Sequence, residues 1–204
     1  MNQKEHWENV YKAKSPTEVS WFQPHLAKSL ELIALSGIDA QAGIIDIGGG
    51  ASTLADDLLN KGYSNISVLD VSAAALEVAK KRLGNKAGQV HWIEGDITTI
   101  KLPEKRYDLW HDRAVFHFLT ESAERKKYIE TLKNALKPEG FLVMATFSLE
   151  GPLKCSGLDV IRYSQETLSR ELGDGFSFLK SSQERHETPF HAFQNFNYCL
   201  FKRS

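Results

Sequence analysis

Three aspartates and a run of three glycines are the residues of this chain best suited to hold a ligand. Residues 44–52 read Ile-Ile-Asp-Ile-Gly-Gly-Gly-Ala-Ser, an apolar run entering a glycine turn with Asp46 at its mouth. Backbone approaches a ligand closely where no Cβ intervenes, so Gly48, Gly49 and Gly50 between a strand and a helix suit a nucleotide-like molecule. Phosphate-binding turns use the same geometry to present backbone N–H groups. A fixed negative charge two residues before the first glycine opposes a pyrophosphate. It suits a ligand that joins an adenosine to positive charge.

Asp70 lies 20 residues after Gly50, the position from which a carboxylate accepts hydrogen bonds from both ribose hydroxyls. Asp96, in Glu-Gly-Asp-Ile, is placed to accept from the exocyclic amine of an adenine. Each aspartate alone is more often a cap or a turn residue. Together they follow three successive strands in order. S-adenosylmethionine, with its sulfonium and ammonium, matches this set, and methyl transfer is the chemistry it implies. A nicotinamide-binding G-x-G-x-x-G turn would need glycine at position 53, where the chain has Thr53. With Asp46 present as well, the dehydrogenase reading is the weaker one.

The elements that must position these residues follow from the pattern. From Gly43 onward apolar strands alternate with helical segments, which predicts parallel βαβ units. Strands are expected at Ile44–Ile47, Ile66–Val71, Val90–Glu94, Tyr107–His111 and Phe141–Phe147. Helices are expected over Ser52–Lys61 (capped by Ser52 or Thr53), Ala73–Leu83 (capped by Ser72) and Glu121–Leu136. Residues 148–162, with Gly151, Pro152 and Gly157, read as a loop of functional length before a short helix at Ser164–Leu172. Phe176–Glu187 and Phe193–Phe201 read as an antiparallel pair at the sheet edge. Helices over Lys4–Lys14 and Leu26–Leu35 precede the glycine turn. The expected organisation is a single domain over 1–204: an N-terminal helical lid (1–42), a cofactor-binding core (43–147), and a substrate loop with a C-terminal hairpin (148–204).

Asp-Ile-Gly-Gly-Gly-Ala-Ser (46–52), Val-Leu-Asp-Val-Ser (68–72), Glu-Gly-Asp-Ile (94–97), Tyr-Asp-Leu-Trp-His-Asp-Arg-Ala-Val-Phe-His-Phe-Leu (107–119) and Leu-Lys-Pro-Glu-Gly (136–140) give the chain its family resemblance. In this order it resembles the class I S-adenosylmethionine-dependent methyltransferases over most of residues 43–147. The resemblance implies an α/β, Rossmann-like doubly wound sheet of seven strands, mostly parallel with an antiparallel C-terminal strand. It implies that Asp46, Gly48, Gly49, Gly50, Asp70, Val71, Asp96 and Ile97 bind the cofactor. The third glycine of the usual GxGxG turn is Ser52 here, which still permits a tight turn and adds a helix cap.

Methyl transfer from a sulfonium needs a nucleophile held close and aimed, with water kept away. A base is needed only when the nucleophile arrives protonated. Arg113 and His117 fall on the family's positions after the fourth strand, beside the methyl end of the cofactor. They are four apart, so a helical turn would put both on one face. With Arg162 from the loop after the fifth strand, they form the expected catalytic pocket: His117 as base, two guanidiniums for an anionic substrate. A lone histidine on an apolar segment more often simply packs, and a single cysteine such as Cys155 is more often inert. His186 with Thr188 marks a further polar site at the last turn. Trp7, Tyr11, Trp21 and Phe22 are too aromatic for a disordered tail. Tyr11 and Trp21 are expected to cover the cofactor, where an aromatic face suits a sulfonium.

The N-terminal segment resembles small-molecule methyltransferases of the thiopurine and tellurite-resistance type, and also eukaryotic methyltransferase-like protein lysine methyltransferases. The Asn-Pro-Pro-Tyr type of motif common in amine methylation is absent; the sequence there is His-Asp-Arg-Ala. A small-molecule substrate, suited to an anionic group, is the leading expectation, with a protein lysine and a non-catalytic cofactor-binding role as alternatives.

Composition bounds the rest. The chain has 204 residues and a formal net charge of −1, so no global field draws it to nucleic acid or a membrane surface. Lys126, Lys127 and Lys133 read as a solvated helix face. Two cysteines are too few for a disulfide scaffold, and the histidine and carboxylate spacings suggest no metal site. With no apolar leader and no span-length run, the expected location is cytoplasmic.

Overall fold

Short apolar runs bounded by glycine and polar turns build the sheet, and the amphipathic segments between them cover it. In the computed structural model, which describes residues 3–204, the elements in chain order are α1 (Gln3–Ala13), α2 (Ala27–Ser36), β1 (Ile44–Ile47), α3 (Leu54–Asn60), β2 (Ile66–Asp70), α4 (Ala73–Leu83), β3 (Val90–Glu94), β4 (Tyr107–Arg113), α5 (Ser122–Ala135), β5 (Leu136–Phe147), β6 (Lys154–Cys155), β7 (Leu158–Asp159), α6 (Gln165–Leu172), β8 (Phe176–Glu187) and β9 (Phe193–Arg203). Seven strands form one sheet in the order β3-β2-β1-β4-β5-β9-β8. The first five are parallel to their neighbours, and β9 runs antiparallel to both β5 and β8. β6 and β7 form a separate two-stranded hairpin inside the loop after β5.

Alternate residues of each strand face different helices. Ile44, Val68, Leu109 and Val143 share a buried cluster with Leu32 and Ile33 of α2 and Leu54 and Leu58 of α3. Ile45, Trp110 and Leu142 share another with Tyr128 and Leu132 of α5 and Leu168 of α6. A sheet covered on both faces explains why its strands read as near-continuous apolar runs. Strand order reverses between β1 and β4, and the crevice beyond their carboxyl ends is where open α/β sheets take ligands.

Several boundaries differ from expectation. β4 continues two residues past His111, because Asp112 and Arg113 pair with Met144 and Ala145 of β5. β2 stops at Asp70, leaving Val71 in the turn. α3 starts at Leu54. The Thr53 hydroxyl leaves the cap and donates to the Gln23 carbonyl at 3.1 Å, while Ser52 Oγ accepts from the Leu54 amide at 3.2 Å. β5 starts at Leu136, five residues before Phe141, with a register shift against β4 and Glu139 at φ +63°. The Ser72 cap is as expected: its hydroxyl accepts from the Ala75 amide at 3.2 Å. The short helix α6 carries a capping box between Ser164 and Thr167.

Candidate functional site

The glycine turn is pressed against two carboxylates. A Cβ on Gly49 would lie 2.4 Å from Asp46 Oδ2, and one on Gly50 would lie 2.5 Å from Asp70 Oδ2. Gly50 also has φ +28°, so a side chain there is excluded on two counts. Any larger residue would displace one of the carboxylates that the turn brings together.

Two clefts open around this turn. The larger, about 870 Å³ and open to solvent, is lined by Gly48, Leu69, Asp70, Val71, Asp96 and Ile97. Trp7, Tyr11 and Trp21 of the N-terminal segment line it too, as do Arg113, Phe118 and Phe196. The smaller, about 490 Å³, is lined by Asp46, Gly49, Ser52, Thr53 and His111. Tyr11, Trp21, Gly48 and Arg113 line both, so these four residues are the shared wall.

Each carboxylate has a distinct setting. Asp70 is buried and accepts from the Ser72 amide at 2.8 Å. Burial pushes its carboxyl up to about 7, with the charges of Asp46 and Glu8 adding to the rise and the Ser72 amide opposing it. Asp46 is buried, and its Oδ1 meets His111 Nδ1 at 2.6 Å. Asp96 is exposed, and its Oδ1 accepts from the Thr98 amide at 2.8 Å and the Thr98 hydroxyl at 2.7 Å. Asp96 also lines the larger cleft.

Arg113 ends β4 at the shared wall. Its Nε donates to the Tyr198 hydroxyl at 2.8 Å, and that hydroxyl donates on to Glu184 at 2.8 Å. Nη1 donates to the Trp21 carbonyl at 3.0 Å, the guanidinium lies 4.7 Å from the Phe196 ring centre, and Nη2 has no partner among the described residues. Among the described residues no carboxylate is a direct partner.

The structure does not bring Arg113, His117 and Arg162 to one cavity. His117 is fully buried behind the cleft wall, its ring packed 4.5 Å from Phe118 and 4.7 Å from Phe147. Its Nδ1 accepts from the Phe147 amide at 3.3 Å, and burial, with the Arg113 charge, pushes the ring down to about 3. A histidine held neutral and enclosed is badly placed to take a proton from a substrate. The expected helical turn fails because Arg113 is still in β4, while Phe116–Phe118 forms one 3-10 turn. Arg162 donates to the carbonyls of Leu149 at 2.6 Å and Gly151 at 3.2 Å, so it staples the loop after β5. His186 donates Nε2–H to the Ser20 carbonyl at 2.8 Å and anchors the segment before α2.

The aromatic cover is built by edge-to-face contacts. Trp7 meets Trp21 at 5.6 Å and Phe118 at 5.1 Å, and the Trp21 indole donates to the Tyr11 hydroxyl at 3.3 Å. Phe22 lines only the smaller cleft. Helix α1 buries none of its residues and is tied down by polar contacts at its edges. Lys4 pairs with Glu94 at 2.5 Å, and the Glu8 carboxylate accepts from the Ala74 amide at the start of α4 at 3.4 Å. Glu8, Phe118, Phe196 and Tyr198 carried no local sequence signal, since only the sheet order brings them to the glycine turn.

Residues 44–140 match the model of a methyltransferase domain, a span that holds the glycine turn and all three aspartates. Residues 44–140 are thus a methyltransferase domain, and the match supports a class I S-adenosylmethionine-dependent methyltransferase. The chain is 28% identical over 169 residues to malonyl-[acyl-carrier protein] O-methyltransferase 1 of Ilyobacter polytropus, covering 82% of this chain and 59% of that protein's length. It is 24% identical over 157 residues to EEF1A lysine methyltransferase 2 of Danio rerio, covering 70% and 67%. In structure it is similar to a protein described for the conversion of a disulfide bond into a thioacetal group during echinomycin biosynthesis, with a TM-score of 0.80 at 19% identity over 100% of this chain and 94% of that one. It is also similar to the 1,6-didemethyltoxoflavin N1-methyltransferase of Burkholderia thailandensis, with bound 1,6-didemethyltoxoflavin and S-adenosylhomocysteine, at a TM-score of 0.70 and 16% identity over 98% and 84%.

The chain's own residues fit S-adenosylmethionine. Gly49 and Gly50 leave a cradle that a Cβ would fill, and buried Asp46 and Asp70 flank it. Among the described residues no group of three or more His, Cys, Asp or Glu could hold a metal, and no helix is long and apolar enough to cross a membrane.

Proposed function

We propose that this methyltransferase transfers a methyl group to a small molecule that carries an anionic group. The observation that carries this reading is Arg113: a guanidinium on the shared wall, half-buried, with one nitrogen unpartnered and no carboxylate in direct contact. A cation taken partly out of water without a carboxylate in direct contact is costly, and an anion in the cleft offsets that cost. Arginine also suits carboxylate or phosphate, which it grips through two parallel hydrogen bonds.

S-adenosylmethionine, when bound, supplies an electrophilic methyl group on its sulfonium. The rest is the work of the chain. In this reading Asp70 accepts the ribose hydroxyls, Val71 and Ile97 pack the adenine, and Asp96 takes its amine. Gly48, Gly49 and Gly50 let the backbone approach, and Asp46 faces the ammonium from the smaller cleft. Tyr11 and Trp21 cover the sulfur end and, with Trp7, exclude water, so that a nucleophile held by Arg113 meets the methyl group in a dry site.

A second reading is a protein lysine methyltransferase, favoured by the similarity to EEF1A lysine methyltransferase 2. Arg113 speaks against it, because a guanidinium at the substrate end repels a lysine ammonium. Incubating the protein with methyl-labelled S-adenosylmethionine and a cell extract decides between the two. The small-molecule reading expects label in low-mass material retained on an anion-exchange resin. Label confined to protein bands would overturn it.

A further inference from the structure

Behind the glycine turn lies a buried chain of three polar side chains, Asp46, His111 and Ser29, of which the cofactor placement above uses only Asp46. Asp46 and His111 sit side by side on β1 and β4. His111 Nδ1 is 2.6 Å from Asp46 Oδ1, and its Nε2 is 2.8 Å from the hydroxyl of Ser29 on α2. All three are almost fully buried, at 3%, 1% and 0% exposure. An ionised carboxylate can only accept, so Nδ1 carries the hydrogen toward Asp46, and the Ser29 hydroxyl, able to donate or accept, pairs with Nε2. Asp46 Oδ2 lies under Gly49 with no donor among the described residues, on the wall of the smaller cleft.

We propose that His111 is a positioning residue for the amino-acid end of the cofactor: it holds Asp46 by one oxygen and so aims the other at an ammonium in the smaller cleft, while Ser29 locks the histidine from the N-terminal unit. The proposal rests on the cofactor placement given above. An aspartate side chain turns freely about its last bonds, and a carboxylate that is not held swings toward whatever donor is near. Here the histidine occupies Oδ1 from one side and Gly49 closes the other, so a single orientation is left. The same chain ties α2 to the cofactor turn, which makes the helical unit before β1 part of the site rather than an appendage to it.

The test compares two ligands that differ only at the amino-acid end, S-adenosylhomocysteine and 5′-methylthioadenosine, by calorimetry on the full chain. In His111→Leu, S-adenosylhomocysteine affinity is expected to fall about tenfold or more, the scale of a lost hydrogen bond to a charged group. Binding of 5′-methylthioadenosine, which has no ammonium, is expected to stay within about twofold of wild type, and it shows that the variant is folded. His111→Asn, whose amide N–H takes the place of Nδ1–H, is expected to recover most of the loss. An equal fall for both ligands, or no fall for either, would overturn the positioning role. The placement it rests on is checked separately by Asp46→Asn: if that variant binds S-adenosylhomocysteine like wild type, the ammonium is not at Asp46 and the placement itself fails.

Discussion

Asp70 is a carboxyl that burial has pushed up to about 7, and in the proposed placement it meets the two ribose hydroxyls of the cofactor. Only the ionised form accepts both, so the cofactor and the proton compete for the same oxygens. Affinity for S-adenosylhomocysteine is therefore expected to rise with pH up to and through 7 and to level off above it, with a slope of up to about tenfold per pH unit on the acid side. The stability of the free protein has the opposite sign. An unfolded aspartate has its pKa near 3.9, so between about 4 and 7 the folded state binds the extra proton. Asp70 thus contributes stability that is lost as pH rises across that window. Titrations from pH 5.5 to 8 check the binding half, and a flat profile would show that Asp70 does not meet the ribose. The residue scale is also where sequence reading reached least far. His117 and Arg162 looked available because their neighbours in the chain are polar or loop-forming, yet their partners are Phe147 and the carbonyls of Leu149 and Gly151. Ser29 gave no signal at all, because a serine inside a helix is meaningful only once the histidine opposite is known.

At the scale of elements, α1 is the weak link by design of its contacts. It buries no residue and is held by the Lys4–Glu94 pair, the Glu8 contact to α4 and the Trp7 edge contacts. Exposed ion pairs are worth little, so α1 belongs to the low-stability end of the molecule, where covers that open are found. Deleting residues 1–22 removes Trp7, Tyr11 and Trp21 and leaves both buried clusters of the sheet nearly whole. The truncated protein is expected to fold, to bind S-adenosylhomocysteine with a raised Kd, and to lose turnover. Circular dichroism and a turnover assay check this, and wild-type turnover by the truncated form would remove the covering role. β1, β3 and α4 could be read to the residue because apolar runs, caps and glycine stops are local. The end of β4 could not. Asp112 and Arg113 look like a strand terminus, but Asp112 is compensated at a distance by the Tyr128 hydroxyl, 2.5 Å away, and by the amides of Val115 and Phe116.

For the whole molecule, the strand order follows from right-handed crossovers on a parallel sheet, with the β8–β9 hairpin completing one edge. That order sets β1 between β2 and β4, so that Asp46, Asp70 and Arg113, far apart in the chain, surround one glycine turn. The fold was legible because the βαβ alternation repeats; the shared wall of Tyr11, Trp21, Gly48 and Arg113 was not, because it joins four segments with no common pattern. In the proposed placement the cofactor lies across this turn with its ribose on Asp70. Calorimetric titration of S-adenosylhomocysteine into wild type and Asp70→Ala tests it most directly. Losing a carboxylate that accepts two hydroxyls removes on the order of 1.5–3 kcal/mol for each charge-assisted bond, so the account predicts an affinity at least about tenfold lower with folding intact. Wild-type affinity in Asp70→Ala would contradict it and place the cofactor elsewhere.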